Sequence, residues 1–116
     1  LVVVFDVPPG TNALWRPVWR DGKPDMIRSE PYKRWRKTAC QVAAYCREGD
    51  KIEGPYALRL TIPGNGYDLD APLKAISDAL EGGGAIQNDK MAARIELVRD
   101  LARPPGTILA ELWRVE

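Results

Sequence analysis

The stretch Gly66–Gly84, GYDLDAPLKAISDALEGGG, decides the fold. Upstream of it, "YALRLTIP" (Tyr56–Pro63) alternates as a half-buried strand that ends on a proline. Within it, Leu73, Ile76 and Leu80 recur on one helical face, Asp70 stands where an N-cap is wanted, Pro72 falls in the first turn, and "EGGG" stops the helix. An extended run thus gives way to a helix with two acids, Asp68 and Asp70, at the junction. Lys74 follows one turn on, and Asp89 lies beyond the glycines at the entry to the next extended run.

Working outward, "LVVVFDV" (Leu1–Val7) is β-rich and ends at Pro8-Pro9, which makes it a first strand. A long irregular segment through Ser29 follows, rich in Pro, Gly, Asn and Asp, with a hairpin turned at "DGK" as one way to fold it. Ser29 is placed to cap a helix with Pro31 in its first turn. Trp35, Ala39, Val42, Ala43 and Cys46 then keep near-helical spacing to about Arg47. After Asp89, "MAARIELVRD" and "TILAELWRVE" read as two strands joined by the "ARPPG" turn. The expected order is β-loop-α-β-α-β-β, a small single α+β (mixed α/β) domain over residues 1–116.

Composition narrows the function. Apolar residues make up 45% of 116 residues, enough for one real core. No apolar run approaches the ~20 residues that cross a bilayer, so no membrane partner is expected. "LVVVFDV" lacks a basic segment and a small-residue cleavage site, so no secretory leader is expected either. There is no histidine, which removes Ser-His-Asp and Cys-His nucleophiles and histidine-ligated zinc. Cys40 and Cys46, six apart on a helix, face different directions and read as free thiols of a reducing cytoplasm. Net charge is only +1, yet Trp15–Lys37 holds eight basic residues against three acids, interleaved with Trp15, Trp19, Tyr32 and Trp35. Such a run is either a solvated face whose aromatics point inward or a nucleic-acid surface.

The acids admit two readings as well. In extended chain Asp68 and Asp70 would share one face, and a bend at Asp70 would aim both carboxylates at one point. Hard cations such as Mg²⁺ are held by one or two carboxylates, with waters and substrate phosphates completing the shell. If the strand after Asp89 neighbours Tyr56–Pro63, Asp89 supplies a third ligand. The plainer alternative is an N-cap with a spare surface acid, beside an ordinary i, i+4 pair between Lys74 and Asp78. An EF-hand fails, because counting from Asp68 puts Leu73 at the glycine position and Ala79 where Glu is required.

"YDLDAPLKAISDALEGGGAIQND" resembles the signature of RusA-type Holliday-junction resolvases: D-x-D-N, a lysine four after the second Asp, then D-A-L, a short Gly-containing loop and D-D before a strand. Asp68, Asp70, Lys74, Asp78-Ala79-Leu80 and Asp89 fall at that spacing. More loosely, "VPPGTNALWRP" is similar to the family's opening strand with its proline-rich turn, and "SEPYKRWRKTA" to its first helix. The resemblance implies a homodimeric endonuclease, dependent on Mg²⁺ or Mn²⁺, that resolves four-way DNA junctions by paired symmetric nicks in recombination and repair. It implies a shared core with a dimer partner and a cytoplasmic setting, bacterial or phage-encoded. Carried over, Asp68, Asp70 and Asp89 would be metal ligands and Lys74 the catalytic or phosphate-contacting lysine; from the basic run itself, Arg16, Arg20, Lys33, Arg34 and Lys37 are the candidates for gripping backbone phosphates. Two positions depart from the pattern. Ala71 stands for the Asn after the second Asp, and Asn88 for the first Asp of the D-D pair, which would remove a charge and keep an oxygen ligand. The alternative these permit is a catalytically weakened branched-DNA-binding module of the same fold.

Overall fold

A computed structural model describes residues 1–9, 15–28, 30–64 and 68–115, and for 15–20 and 23–28 their backbone alone. Strands β1 (Val2–Asp6), β4 (Tyr56–Pro63), β5 (Ala92–Asp100) and β6 (Thr107–Arg114) form a mixed sheet in the order β1-β6-β4-β5. Helices α1 (Glu30–Arg47) and α2 (Leu73–Gly82) complete a small α+β domain. The long segment after β1 contains β2 (Trp15–Arg20) and β3 (Lys23–Arg28), an antiparallel ribbon that the element order read from the sequence counted as loop. Its turn at Asp21-Gly22 has positive φ at both residues, 52° and 72°, the backbone that Asp-Gly supplies in a two-residue hairpin. The expected cap at Ser29 lies outside the described residues.

The core forms on one face of the sheet. Val3, Phe5, Leu58, Leu60, Ile62, Ile108, Ala110 and Leu112 point inward and meet Ala39 and Ala43 of α1 and Ile76, Ala79 and Leu80 of α2 in one cluster. Burying each large side chain there contributes about 1.5–3 kcal/mol. Strand β4, in the middle, is buried along most of its length, with Leu58, Leu60 and Ile62 fully enclosed. The alternate positions Val2, Val4, Arg59, Glu111 and Trp113 face the other way.

The glycine run fits α2 against α1. A Cβ on Gly83 would stand 2.6 Å from the Cys40 carbonyl oxygen and 2.7 Å from the Ala43 Cβ. The Arg47 Nε donates to the Gly83 carbonyl at 3.0 Å and fastens the same joint. Beyond stopping the helix, "EGGG" therefore permits a close helix–helix approach at Gly83, which requires the absence of a side chain.

The last two strands are consecutive in sequence yet not neighbours. β6 pairs antiparallel with β4 and β1, while β5 pairs parallel with β4 on the far side. The sequence shows the connecting turn but not that β4 slots between the strands it joins. The unit β4–α2–β5 is a parallel crossover, and it sets the chain of the opening stretch along one side of the sheet.

Candidate active site

The D-x-D does not sit in extended chain. Leu69 to Pro72 form successive turns, in which the Ala71 N–H donates to the Asp68 carbonyl at 3.1 Å and the Leu73 N–H to the Asp70 carbonyl at 3.1 Å. Helix α2 begins after Pro72 with no side-chain cap, so Asp70 is not the N-cap read from the sequence. Pro72 and the turn before it move the helix start to Leu73, three residues past the second acid. The same-face argument for positions two apart holds for a strand and fails here. Both carboxylates are exposed.

Asp89 opens a 3-10 turn, Asp89–Met91, that leads directly into β5. Because β5 lies parallel to β4, this turn comes to the N-terminal end of β4, where the Tyr56 hydroxyl donates to the Asp89 carbonyl at 3.4 Å. The Glu81 Oε1 accepts the Asp89 backbone N–H at 2.9 Å. Asn88 caps the turn by accepting the Lys90 N–H on its Oδ1 at 2.8 Å, which occupies one of the two lone pairs of that oxygen.

A cleft of about 290 Å³ is lined by Tyr56, Asp70, Leu73, Lys74, Ser77, Asp89 and Ile95. It gathers three of the four expected catalytic residues: Asp70 and Lys74 from the turn that runs into α2 and the start of that helix, and Asp89 from the turn before β5. Asp68 is not among its lining residues. Lys74 holds the charges together: its Nζ lies 2.9 Å from Asp89 Oδ2 and 3.1 Å from Asp78 Oδ1. Hydrogen bonding to Asp89 and then to Asp78 raises the Lys74 pKa. The same hydrogen bond from Lys74 lowers that of Asp89. Burial, reinforced by the charges of Asp89 and Glu81, raises the Tyr56 phenol. The cleft thus presents the Lys74 ammonium paired with the Asp89 carboxylate.

Oxygen donors of this kind suit Mg²⁺ or Mn²⁺, and two carboxylates are the usual protein share of a Mg²⁺ shell that substrate phosphates complete. Asp70 and Asp89 meet that description. Among the described residues, no three acidic or thiol side chains are grouped closely enough to hold an ion by themselves. The donor set fits a metal shared with a phosphate, not an all-protein cage.

Three neighbours of the site escaped the sequence reading. Glu81 carried a signal, since it continues the Lys74–Asp78 stripe by one more turn. Tyr56 and the buried Ser77 carried none, because their place depends on how β4 and α2 meet.

Of the expected phosphate grips, Lys33, Arg34 and Lys37 are exposed on α1, while the side chains of Arg16 and Arg20 lie outside the described residues. Cys40 and Cys46 are free thiols, both half-buried. Among the described residues, no helix is long and apolar enough to cross a membrane. Compared with known proteins, the chain matches no family model and no curated sequence.

Proposed function

We propose that the protein is a metal-dependent endonuclease of branched DNA, resolving four-way junctions as a homodimer in a bacterial or phage-infected cytoplasm. The observation that carries this reading is the convergence of Asp70, Lys74 and Asp89 on one cleft, with Lys74 Nζ 2.9 Å from Asp89. Asp70 and Asp89 would hold Mg²⁺ or Mn²⁺, with Asp68 within the same turn as a further acid. When bound, the ion polarises the scissile phosphate and lowers the pKa of an attacking water. Lys74 places a positive charge where negative charge grows on the phosphate oxygens. Its side chain is 72% exposed, so it can turn from its carboxylate partners to a substrate. Tyr56, Leu73 and Ile95 supply the apolar part of the cleft's lining. Water adds to phosphorus, one P–O ester bond breaks, and the leaving oxygen takes up a proton.

The test is cleavage of a synthetic four-way junction and a matched duplex with Mg²⁺, Mn²⁺ or EDTA, beside Asp70→Asn. Paired, metal-dependent nicks in the junction, absent from the variant, are expected. Cleavage by Asp70→Asn at the wild-type rate contradicts the assignment.

A second reading, a branched-DNA-binding module with weakened turnover, draws on two features of the site. Asn88 brings no charge and its oxygen already accepts the Lys90 N–H, and the Lys74 ammonium pairs with Asp89. Tight junction binding without nicks, recovered as cleavage on Asn88→Asp with Ala71→Asn, distinguishes it.

A further inference from the structure

We propose that the flank of α1 bearing Lys33, Arg36 and Lys37 is the surface that grips the DNA phosphate backbone, and that Arg34 lies outside it; the inference rests on the DNA reading above. Four residues of this flank (33, 36, 37 and 40) recur at i, i+3, i+4 and i+7 and so form one row. With Tyr32 they line a groove of about 400 Å³. Arg34 points to the other flank, where it lines a separate cavity with Phe5, Asp6, Trp35 and Thr38. The sequence-level set of grips thus divides: Lys33 and Lys37 belong to the row, Arg34 does not, and Arg36, absent from that set, does.

Charge selects the occupant. Residues 30–37 hold four cations and one acid, Glu30, whose carboxylate stands 3.6 Å from Lys33. Among the described residues, Arg36 and Lys37 take part in no ion pair. Helix stability gives no reason for such a row, because the first turn of a helix favours anions and like charges at i, i+4 repel. A polyanion gives one. Lys33 and Lys37 are about 6 Å apart along the helix axis, within reach of successive phosphates of one strand. The row also has a firm base: Tyr32 is buried and stacks on Trp35 with ring centroids 6.0 Å apart, and the Trp35 Nε1 donates to the Asp6 carbonyl at 2.8 Å. Lysine and arginine stems supply the groove's apolar walls while their heads stay in water.

Cys40, in the same groove, makes the proposal testable without reading cleavage. In a Cys46→Ser variant Cys40 is the sole thiol, and its alkylation by a maleimide is timed with and without a fluorescein-labelled four-way junction. Bound DNA is expected to slow alkylation in proportion to the bound fraction. In parallel, Arg36→Gln/Lys37→Gln should flatten the slope of log affinity against log salt by about 0.9 for each lost phosphate contact, and Arg34→Gln should leave it unchanged. Binding that leaves Cys40 equally reactive, or a slope that responds to Arg34 and not to the pair, overturns the proposal while the DNA reading survives. A protein that binds no junction at all removes both. A groove that instead protects Cys40 only against an acidic protein or an anionic vesicle also overturns it.

Discussion

Two lysines of this chain stand four residues from a charged neighbour on a helix, and the two helices treat them oppositely. Lys74 of α2 has Asp78 at i+4 and closes on it at 3.1 Å, then reaches Asp89 as well. Lys37 of α1 has Lys33 at i−4, a like charge, and Arg36 beside it. The first arrangement resolves its charge within the fold. The second leaves its charge for something outside. On the function proposed above, that contrast separates the cleft that would carry the chemistry, where a cation is held against carboxylates, from the helix flank that would hold a polyanion.

The largest effect expected is on the cleft. Lys74→Gln should lower junction cleavage by roughly 10²–10³, the usual cost of removing one charge-stabilising group, in single-turnover assays with binding unchanged. Loss of binding with retained turnover would reverse the assignment of the two regions. Next comes the joint between the helices. Gly83→Ala should cost about 1–3 kcal/mol in urea unfolding, because its Cβ meets backbone and a methyl group that cannot move aside. Gly82→Ala should cost less, since its Cβ would meet chiefly the Cys40 Sγ, at 2.7 Å.

Smaller still is the stability held by the Lys74 clasp. With Lys74 so exposed, its ion pairs are worth about 0.2–1 kcal/mol each at most. The pKa of Asp89 is lowered in the fold, so its share is present above the ordinary carboxylate range and is lost as pH falls through the depressed value. The pKa of Lys74 is raised, so its share is present below the ordinary lysine range and is lost as pH rises through the elevated value. The Tm deficit of Lys74→Gln should therefore be widest between those ranges and close toward strong acid. A deficit constant down to strong acid would show that packing, not charge, is lost. The smallest effect has the opposite sign. Lys37→Gln should stabilise the fold by about 0.2–0.5 kcal/mol through relief of repulsion with Lys33, while weakening DNA binding.

The elements were largely legible in the sequence because each carried its own period or punctuation: α1 from Trp35 to Cys46, β4 from its alternation, and the hairpin from Asp21-Gly22. What the sequence did not show depends on long-range pairing. Nothing local in "ARPPG" says that β4 lies between β5 and β6. The candidate residues were legible by type, and Asp70, Lys74 and Asp89 line one cleft, with Lys74 and Asp89 in contact. Its finer geometry was not, because Pro72 and the turn before it displaced the helix start, and Asn88 turned its oxygen to a cap. The same holds for the basic run, where counting cations pointed to α1 but only the fold divides Arg34 from Lys33, Arg36 and Lys37.

The division of labour between cleft and helix is tested most directly by measuring binding and single-turnover cleavage of one four-way junction, with Mg²⁺, for Asp89→Asn and Arg36→Gln/Lys37→Gln side by side. Asp89→Asn should bind as the wild type does and make no nicks, while the double variant should bind weakly yet cleave at near the wild-type rate once saturated. Nicking by Asp89→Asn, or full-affinity binding by the double variant, would contradict it.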